Sequence, residues 1–282
     1  MEIQSSSAAT GICRLTHQRG PFVKSHIIPD SLTRPSIKGN ALYQYRGGSP
    51  SERPTRRWSS WYDSNLVKEA GEKCLSDLDN WAVRELRRHR LVWSGWGSET
   101  TLPAPHTVMG PGSIGIRRVD ETDPVKLRLF FLSLLWRAAA TSLTEFSEVS
   151  LSEDELERLR LMLVHGDITP LSFYPCQLTQ LSTKGIIHNH APIADMKYVP
   201  ILSGIGSQSF ALPTYRFYFD GLIAHMHVGL PKSYRPTQLG NLLVGFEKSL
   251  VLSTVSFEDS LQCINMQAIS REHGISMASD EG

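Results

Sequence analysis

Apolar residues recur at helical spacing in three stretches of the chain. In the first, residues 64–89, one face carries Leu66, Ala70, Cys74, Leu78, Trp81 and Leu86. Residues 127–138 are apolar on every side, so we expect a buried helix there, with Asp123 as its cap. Ser152 and Glu155 form a capping box before residues 156–164, and this pattern predicts a third helix.

Strand-like segments flank these helices. Near the start, residues 12–15 and 22–27 predict two short strands, joined by a turn at residues 19–21. The segments of the last third are 171–179, 184–190, 197–203, 214–220 and 222–230. The dipeptide Asp220-Gly221 between the last two is typical of a hairpin turn. The pattern therefore predicts an α+β fold, in which central helices pack on a mostly antiparallel C-terminal sheet.

Proline and glycine suggest how the chain is divided. Residues 31–60 are polar and rich in both, which predicts a long loop, and residues 99–122 have the composition of a linker. We therefore expect two domains, residues 1–98 and residues 99–282.

Composition excludes several classes of protein. With 282 residues, 40% of them hydrophobic, the chain is long enough for a substantial core. A net charge of +1 predicts no overall attraction to nucleic acid or to an anionic membrane, so such binding requires a local patch. The four cysteines lack paired spacing, which favours a reducing compartment. Without a signal pattern or an apolar run of membrane-spanning length, we expect a cytoplasmic protein with no membrane partner.

A lone histidine near the start is followed by an asparagine and a carboxylate. His26 lies in Ser25-His26-Ile27-Ile28-Pro29, and Asn65 and Glu72 follow about forty residues later. In ββα-metal nucleases a strand histidine is the general base for water, and residues of the following turn and helix hold a divalent metal. The plain alternative is a half-buried histidine without a catalytic role.

These residues resemble a family of bacterial HNH-like, or His-Me finger, endonuclease-related proteins. The matching positions are Cys13, Ser25 to Pro29, Asp63, Asn65, Leu66, Glu72 and the helix from Phe130 to Ala138. The resemblance implies an N-terminal ββα-metal-like finger with His26, Asn65 and Glu72 as catalytic residues. It further implies that Asn65 and Glu72 bind Mg²⁺ or Mn²⁺, which prefer oxygen ligands.

The chain departs from this family at the zinc knuckle. The resemblance implies four cysteines, and this sequence has Cys13, Thr16, Lys68 and Gly71 at their positions. A structural zinc needs four closed ligands, so we expect none here. Packing and hydrogen bonds from Lys68, Thr16 and the apolar residues Leu15, Leu66 and Trp81 are expected to replace the ion.

Basic residues gather in the first third of the chain, interleaved with tyrosine and tryptophan. The predicted nucleic-acid-binding residues are Arg53, Arg56, Arg57, Arg84, Arg87 and Arg88. Cations bind phosphates and aromatic rings stack on bases, as a nucleic-acid groove requires. The alternative is a solvated surface on which arginine stems cover apolar groups.

Two His-x-His pairs lie in the last hundred residues. His188 with His190 and His225 with His227 would each project from one face of a strand, and the two pairs suit a metal if their strands are neighbours. The alternative is that these histidines form ordinary hydrogen bonds on the sheet.

Two functions remain open from the sequence. The first is a metal-dependent nuclease acting on nucleic acid, most simply DNA, in defence against foreign or phage DNA. The second is a catalytically inactive nucleic-acid-binding or regulatory subunit that works with a partner protein. A nuclease requires His26, Asn65 and Glu72 to meet around an open cleft, whereas burial of His26 favours the subunit. The sequence does not determine the oligomeric state.

Overall fold

A computed structural model describes residues 10–34, 42–46, 53–109, 113–200, 209–230 and 235–274. The helices are α1 (Asp30–Thr33), α2 (Glu69–Arg88), α3 (Pro124–Ala140), α4 (Glu153–His165), α5 (Pro236–Leu239) and α6 (Leu261–Glu272). The strands are β1 (Thr10–Ile12), β2 (Arg19–His26), β3 (Leu42–Tyr45), β4 (Thr55–Arg57), β5 (Tyr62–Lys68), β6 (Thr107–Val108), β7 (Gly115–Val119), β8 (Cys176–Leu181), β9 (His188–Pro200), β10 (Ser209–Phe219), β11 (Leu222–His227) and β12 (Leu250–Val255).

The strands form two sheets. The small sheet is antiparallel with the order β1-β2-β5, and the large one has nine strands in the order β4-β3-β9-β10-β11-β8-β12-β7-β6. In the large sheet β3 pairs with β9 and β12 with β8 in parallel, while the pairs from β9 to β8 are antiparallel. The predicted α+β class, with its mostly antiparallel C-terminal sheet, is confirmed.

The two central helices begin where the sequence predicts. Asp123 caps α3 by accepting the backbone N–H of Lys126 at 3.0 Å, and the capping box of Ser152 and Glu155 is present at the start of α4. The predicted start of the first helix is wrong, because residues 62–68 form β5 and α2 begins at Glu69. Leu66 and Val67 are fully buried as strand residues.

Several predicted irregular segments contain strands instead. The loop expected over residues 31–60 includes α1, β3 and β4, and the linker expected over 99–122 includes β6 and β7. These strands are short, and each is held in a sheet by strands that can be far away in the sequence. Tyr43 of β3, for example, pairs with His188 of β9. A local pattern of three to five residues does not encode such a partner.

The large sheet lies between two layers of helix. On one face, Phe219 stacks on Phe131 of α3 with ring centroids 6.4 Å apart, and α3 also packs against α2. On the other face, Met266 of α6 belongs to a second core with Tyr218 and Ile223. The hydrophobic core that contains Phe131 and Phe219 includes residues from both sides of position 98. The large sheet also includes strands from both sides, so both cross the domain boundary expected there.

The hairpin between β10 and β11 depends on a glycine in close contact with a tryptophan. Asp220 and Gly221 both have positive φ, 49° and 79°, as the predicted turn requires. A Cβ on Gly221 would lie 2.3 Å from Nε1 of Trp93. The turn therefore needs glycine for both its backbone and its packing.

We expect Gly221→Ala to lower the free energy of unfolding by about 2–4 kcal/mol, since positive φ costs alanine 1–2 kcal/mol and the clash adds to it. Urea unfolding measures the loss. Gly166→Ala is the matched control, because Gly166 has φ 70° with nothing within 4 Å of the added Cβ. Equal losses in the two variants would show that the contact with Trp93 contributes nothing.

Candidate active site in the finger

β2, β5 and α2 form a strand-strand-helix unit, although the sequence predicted residues 12–15 and 22–27 as the two strands and placed residues 64–68 in the helix. β2 ends at His26 and runs antiparallel to β5, with Ser25 opposite Asp63 and His26 opposite Tyr62. Helix α2 follows β5 without an intervening loop, which places Glu72 in its first turn. The small sheet and the first turn of α2 therefore bring residues 26, 65 and 72 into one substructure.

The four positions of the expected zinc knuckle converge in space. The Sγ atom of Cys13 accepts the backbone N–H groups of Thr16 and Lys68, each at 3.4 Å. A Cβ on Gly71 would lie 2.8 Å from the same sulfur atom. Burial raises the pKa of the Cys13 thiol, but hydrogen bonds from Thr16 and from backbone amides outweigh this and leave the pKa below its usual value.

Lys68 fills the knuckle with an alkyl chain and an ammonium group. Its Nζ atom lies 2.8 Å from the centroid of the Phe22 ring and has no hydrogen-bond partner. Burial lowers the pKa of Lys68, which the Cys13 sulfur partly opposes. Leu15 and Leu66 are buried in the same core and Trp81 packs against it. These contacts agree with the expected replacement of the ion by packing, while the absence of zinc itself stays a prediction.

His26 is partly open to solvent at the end of β2. Its side chain is 27% exposed, and its Nε2 atom lies 3.9 Å from an oxygen of Asp30. Burial lowers the pKa of His26, and the Asp30 carboxylate opposes that shift. The lowered pKa favours the neutral imidazole near pH 7, which is the form that a general base needs. The Asp30 carboxylate would stabilise the imidazole once it is protonated.

Ser25 and Glu72 leave two buried oxygen atoms without partners. Ser25 is fully buried, and neither its Oγ atom nor Oε2 of Glu72 has a hydrogen bond. Burial raises the pKa of Glu72, although the nearby Ser25 hydroxyl acts in the opposite direction. The Ser25 hydroxyl and the Glu72 carboxyl are polar neighbours, and their oxygens are the candidate ligands of the finger for a cation.

A buried ion pair lies next to these residues. Both Nη atoms of Arg137 donate to the Asp79 carboxylate at 2.8 Å, and the Arg137 side chain is only 1% exposed. Arg137 also donates to the backbone oxygen of His26 at 3.1 Å. The pair thus fastens α3 and α2 to the end of β2. Sequence analysis missed it, although an arginine within an apolar helix signals a buried acidic partner.

Asn65 and Glu72 lie in different environments. Between the pairs Val23–Val67 and Ser25–Asp63, β2 has one residue and β5 has three, so β5 bulges around Asn65. The Asn65 side chain is exposed, whereas the Glu72 oxygen is buried. Their role as joint metal ligands therefore stays a prediction.

Asp63 matches the family pattern but was not among the predicted catalytic or metal-binding residues. One of its oxygens accepts the backbone N–H of Asn65 at 2.7 Å, and the other accepts the hydroxyl of Thr141 at 2.7 Å. Asp63 thereby shapes the bulge and joins it to the end of α3. This is a positioning role, because both oxygens are already occupied.

Some of the predicted phosphate-binding arginines already have partners. Arg87 donates to Ser31 O at 2.9 Å and to Ser94 Oγ at 3.0 Å, and Arg88 pairs with Glu85 at 2.6 Å. The exposed arginines of the predicted set are Arg53, Arg56, Arg57, Arg84 and Arg88. Nucleic-acid binding by this set stays a prediction, with Arg87 placed to hold α1 against α2.

The two His-x-His pairs do not meet. They lie on β9 and β11, which are separated by β10. His188 contacts Ile186 O at 2.7 Å, and His227 contacts Thr214 and Gln177 at 2.8 and 3.0 Å. Within the described ranges, no three His, Cys, Asp or Glu side chains are grouped so as to hold a metal ion.

Comparison with protein-family models, curated proteins and solved structures finds no match for this chain. Among the helices that the structure describes, none combines the length and the apolar character needed to cross a membrane.

Proposed function

We propose that this protein hydrolyses phosphodiester bonds of nucleic acid, with His26 as the general base. The observation that carries the proposal is the partly exposed imidazole at the end of β2, within a β2–β5–α2 unit and 3.9 Å from Asp30. Burial lowers the pKa of this imidazole and so favours its neutral form. A general base must be unprotonated and reachable by water, and His26 meets both conditions. DNA is the proposed substrate.

His26 would take the proton from the attacking water, and Asp30 would stabilise the imidazolium that results. Of the exposed arginines, Arg53, Arg56 and Arg57 on and beside β4 would bind the phosphate backbone by charge. Arg137 holds the backbone of His26 and so fixes the position of the base without touching substrate.

In this proposal the finger would hold a divalent metal such as Mg²⁺ or Mn²⁺. Glu72 and Asp79 supply two negative charges against the one positive charge of Arg137, and oxygens of Glu72 and Ser25 lack partners. Glu72 and Ser25 would hold the ion, and Asn65 would join them from the bulge. When bound, the ion supplies positive charge for the scissile phosphate.

A second function is favoured by the burial of Glu72. Since burial raises the pKa of this carboxyl, a proton competes with a metal for its oxygen. A finger that has lost its metal in this way would act as a nucleic-acid-binding or regulatory subunit, with cleavage performed by a partner protein.

An assay of DNA cleavage with Mn²⁺ tests the first function. We expect the native chain to cleave and His26→Ala to cleave about 10²–10⁴-fold more slowly, the usual contribution of a general base. His165→Ala is the control, because His165 is an exposed histidine at the end of α4, and its activity should equal that of the native chain. DNA binding without cleavage by any of the three proteins would replace the nuclease by the second function.

A further inference from the structure

A cavity opens on the face of the large sheet that is turned away from α3. Its volume is about 370 Å³, and β8, β9, β10, β11 and β12 all contribute to its lining. Arg216 pairs with His225 across β10 and β11, and Thr179 pairs with Ser253 across β8 and β12, so these side chains share one face. The cavity lies on the large sheet, and none of the proposed catalytic residues lines it.

Cationic and polar donors dominate the floor of this cavity. Arg216 has a side chain only 3% exposed, and Lys197 and His225 stand on the strands to either side of it. The hydroxyls of Thr179 and Ser253 are 2.8 Å apart, and Thr179 lies 3.4 Å from Nε2 of His225. Donors on five neighbouring strands therefore line one space.

The acidic groups at the cavity contact partners other than Lys197. Asp195 is 3.5 Å from Arg216, and the charge of Glu148 also acts on Arg216. Asp259, on the rim, accepts from Ser113 and Ser256. Among the residues that the structure describes, Lys197 has no ion pair.

A charged lysine in a largely buried position without a counter-ion is unfavourable unless a ligand supplies a negative charge beside it. Burial lowers the pKa of Lys197 to about 8. Burial also lowers the pKa of His225, and Lys197, His227 and Arg216 add to that shift. In both groups desolvation is the largest cause of the shift, because burial disfavours the charged form.

Apolar residues form the remaining wall of the cavity. Ile223 and Val255 lie on the sheet, and Leu261 begins α6 at the rim. A ligand in this space would therefore contact cations at one end and apolar surface along its body, as pockets for organic molecules generally provide.

We propose that this cavity binds a small organic anion, whose phosphate or carboxylate group lies against Lys197, Arg216 and His225 and whose apolar part lies against Ile223, Val255 and Leu261. The proposal does not depend on the nuclease function, because no catalytic residue of the finger lines the cavity. It gives the C-terminal sheet a binding role of its own.

Isothermal titration calorimetry of the full chain tests the proposal with three probes: phenyl phosphate, benzoate and inorganic phosphate. We expect phenyl phosphate or benzoate to bind more tightly than inorganic phosphate, because only the first two reach the apolar wall. The stronger of the two identifies the anionic group. No binding of any probe at millimolar concentration would overturn the proposal.

The variant Lys197→Met keeps the length of the side chain and removes its charge. We expect it to weaken binding of the better probe at least tenfold while leaving the melting temperature of the free protein equal or higher, since an uncompensated buried charge is removed. Lys248→Met, with an exposed side chain outside the cavity, is the control and should bind like the native chain. Unchanged affinity in Lys197→Met, or a melting temperature lowered by loss of Lys197, would show a structural lysine and contradict the proposal.

Discussion

Asp79→Asn is expected to lower the free energy of unfolding by roughly 3–5 kcal/mol, because it leaves the Arg137 guanidinium buried without its charged partner. Both ion-pair hydrogen bonds are 2.8 Å long, and Arg137 is almost completely buried. Equilibrium unfolding in urea measures the change, as a shift of the midpoint with an unchanged slope.

Asp77→Asn is the matched control. Asp77 lies on the same helix and pairs with Lys73 at 3.0 Å, but both side chains are largely exposed. A pair of this kind contributes about 0.3–0.5 kcal/mol. Adding Arg137→Met to Asp79→Asn should recover part of the loss, because the unpaired charge is then gone. Equal effects of Asp77→Asn and Asp79→Asn would mean that the buried pair does not hold the finger.

The triple variant Thr16→Cys/Lys68→Cys/Gly71→Cys is expected to bind one zinc ion per chain. The three positions surround Cys13, whose sulfur atom accepts two of their backbone N–H groups at 3.4 Å. With four thiolates the site has the closed ligand set of a structural zinc. At a free zinc concentration a thousand times the dissociation constant, the stabilisation should reach about 4 kcal/mol.

Elemental analysis and the absorption of the Co²⁺ form check this result, since tetrahedral thiolate ligation has a distinct spectrum. Adding Cys13→Ser to the triple variant is the control, and it should bind zinc more weakly because one ligand is weaker. A triple variant that purifies with no more zinc than the native chain would show that the four positions do not form a knuckle. That result would count against the predicted resemblance to the HNH-like family.

Features that depend on neighbours in sequence were predictable. Asp123 caps α3, Ser152 and Glu155 start α4, and Asp220-Gly221 makes a hairpin, as their spacing indicates. Each of these interactions joins residues a few positions apart, so local composition determines it. In the finger, the strand at residues 22–27 and the helix were predicted from the same kind of information, but β5 was predicted as the start of the helix.

Features that depend on distant partners were not predictable. The burial of Glu72 and the exposure of Asn65 follow from the bulge in β5 and from α3 packing over the finger, and neither is visible in residues 62–72. The partner of Arg137 is 58 positions away. Sequence analysis therefore named candidate site residues but not which of them face solvent, and their roles stay predictions.

The pairing of β3 with β9 also affects how the chain folds during its synthesis. Tyr43 and His188 are opposite each other although 145 residues separate them. At a synthesis rate of about 5–20 residues per second, the ribosome needs roughly 7–30 s to deliver the second strand after the first. During that interval the edge of β3 that later pairs with β9 has no partner. Unpaired strand edges promote aggregation, and chaperones protect nascent chains that expose them. The segment between His26 and Asn65 therefore completes its fold only after the ribosome has made β9.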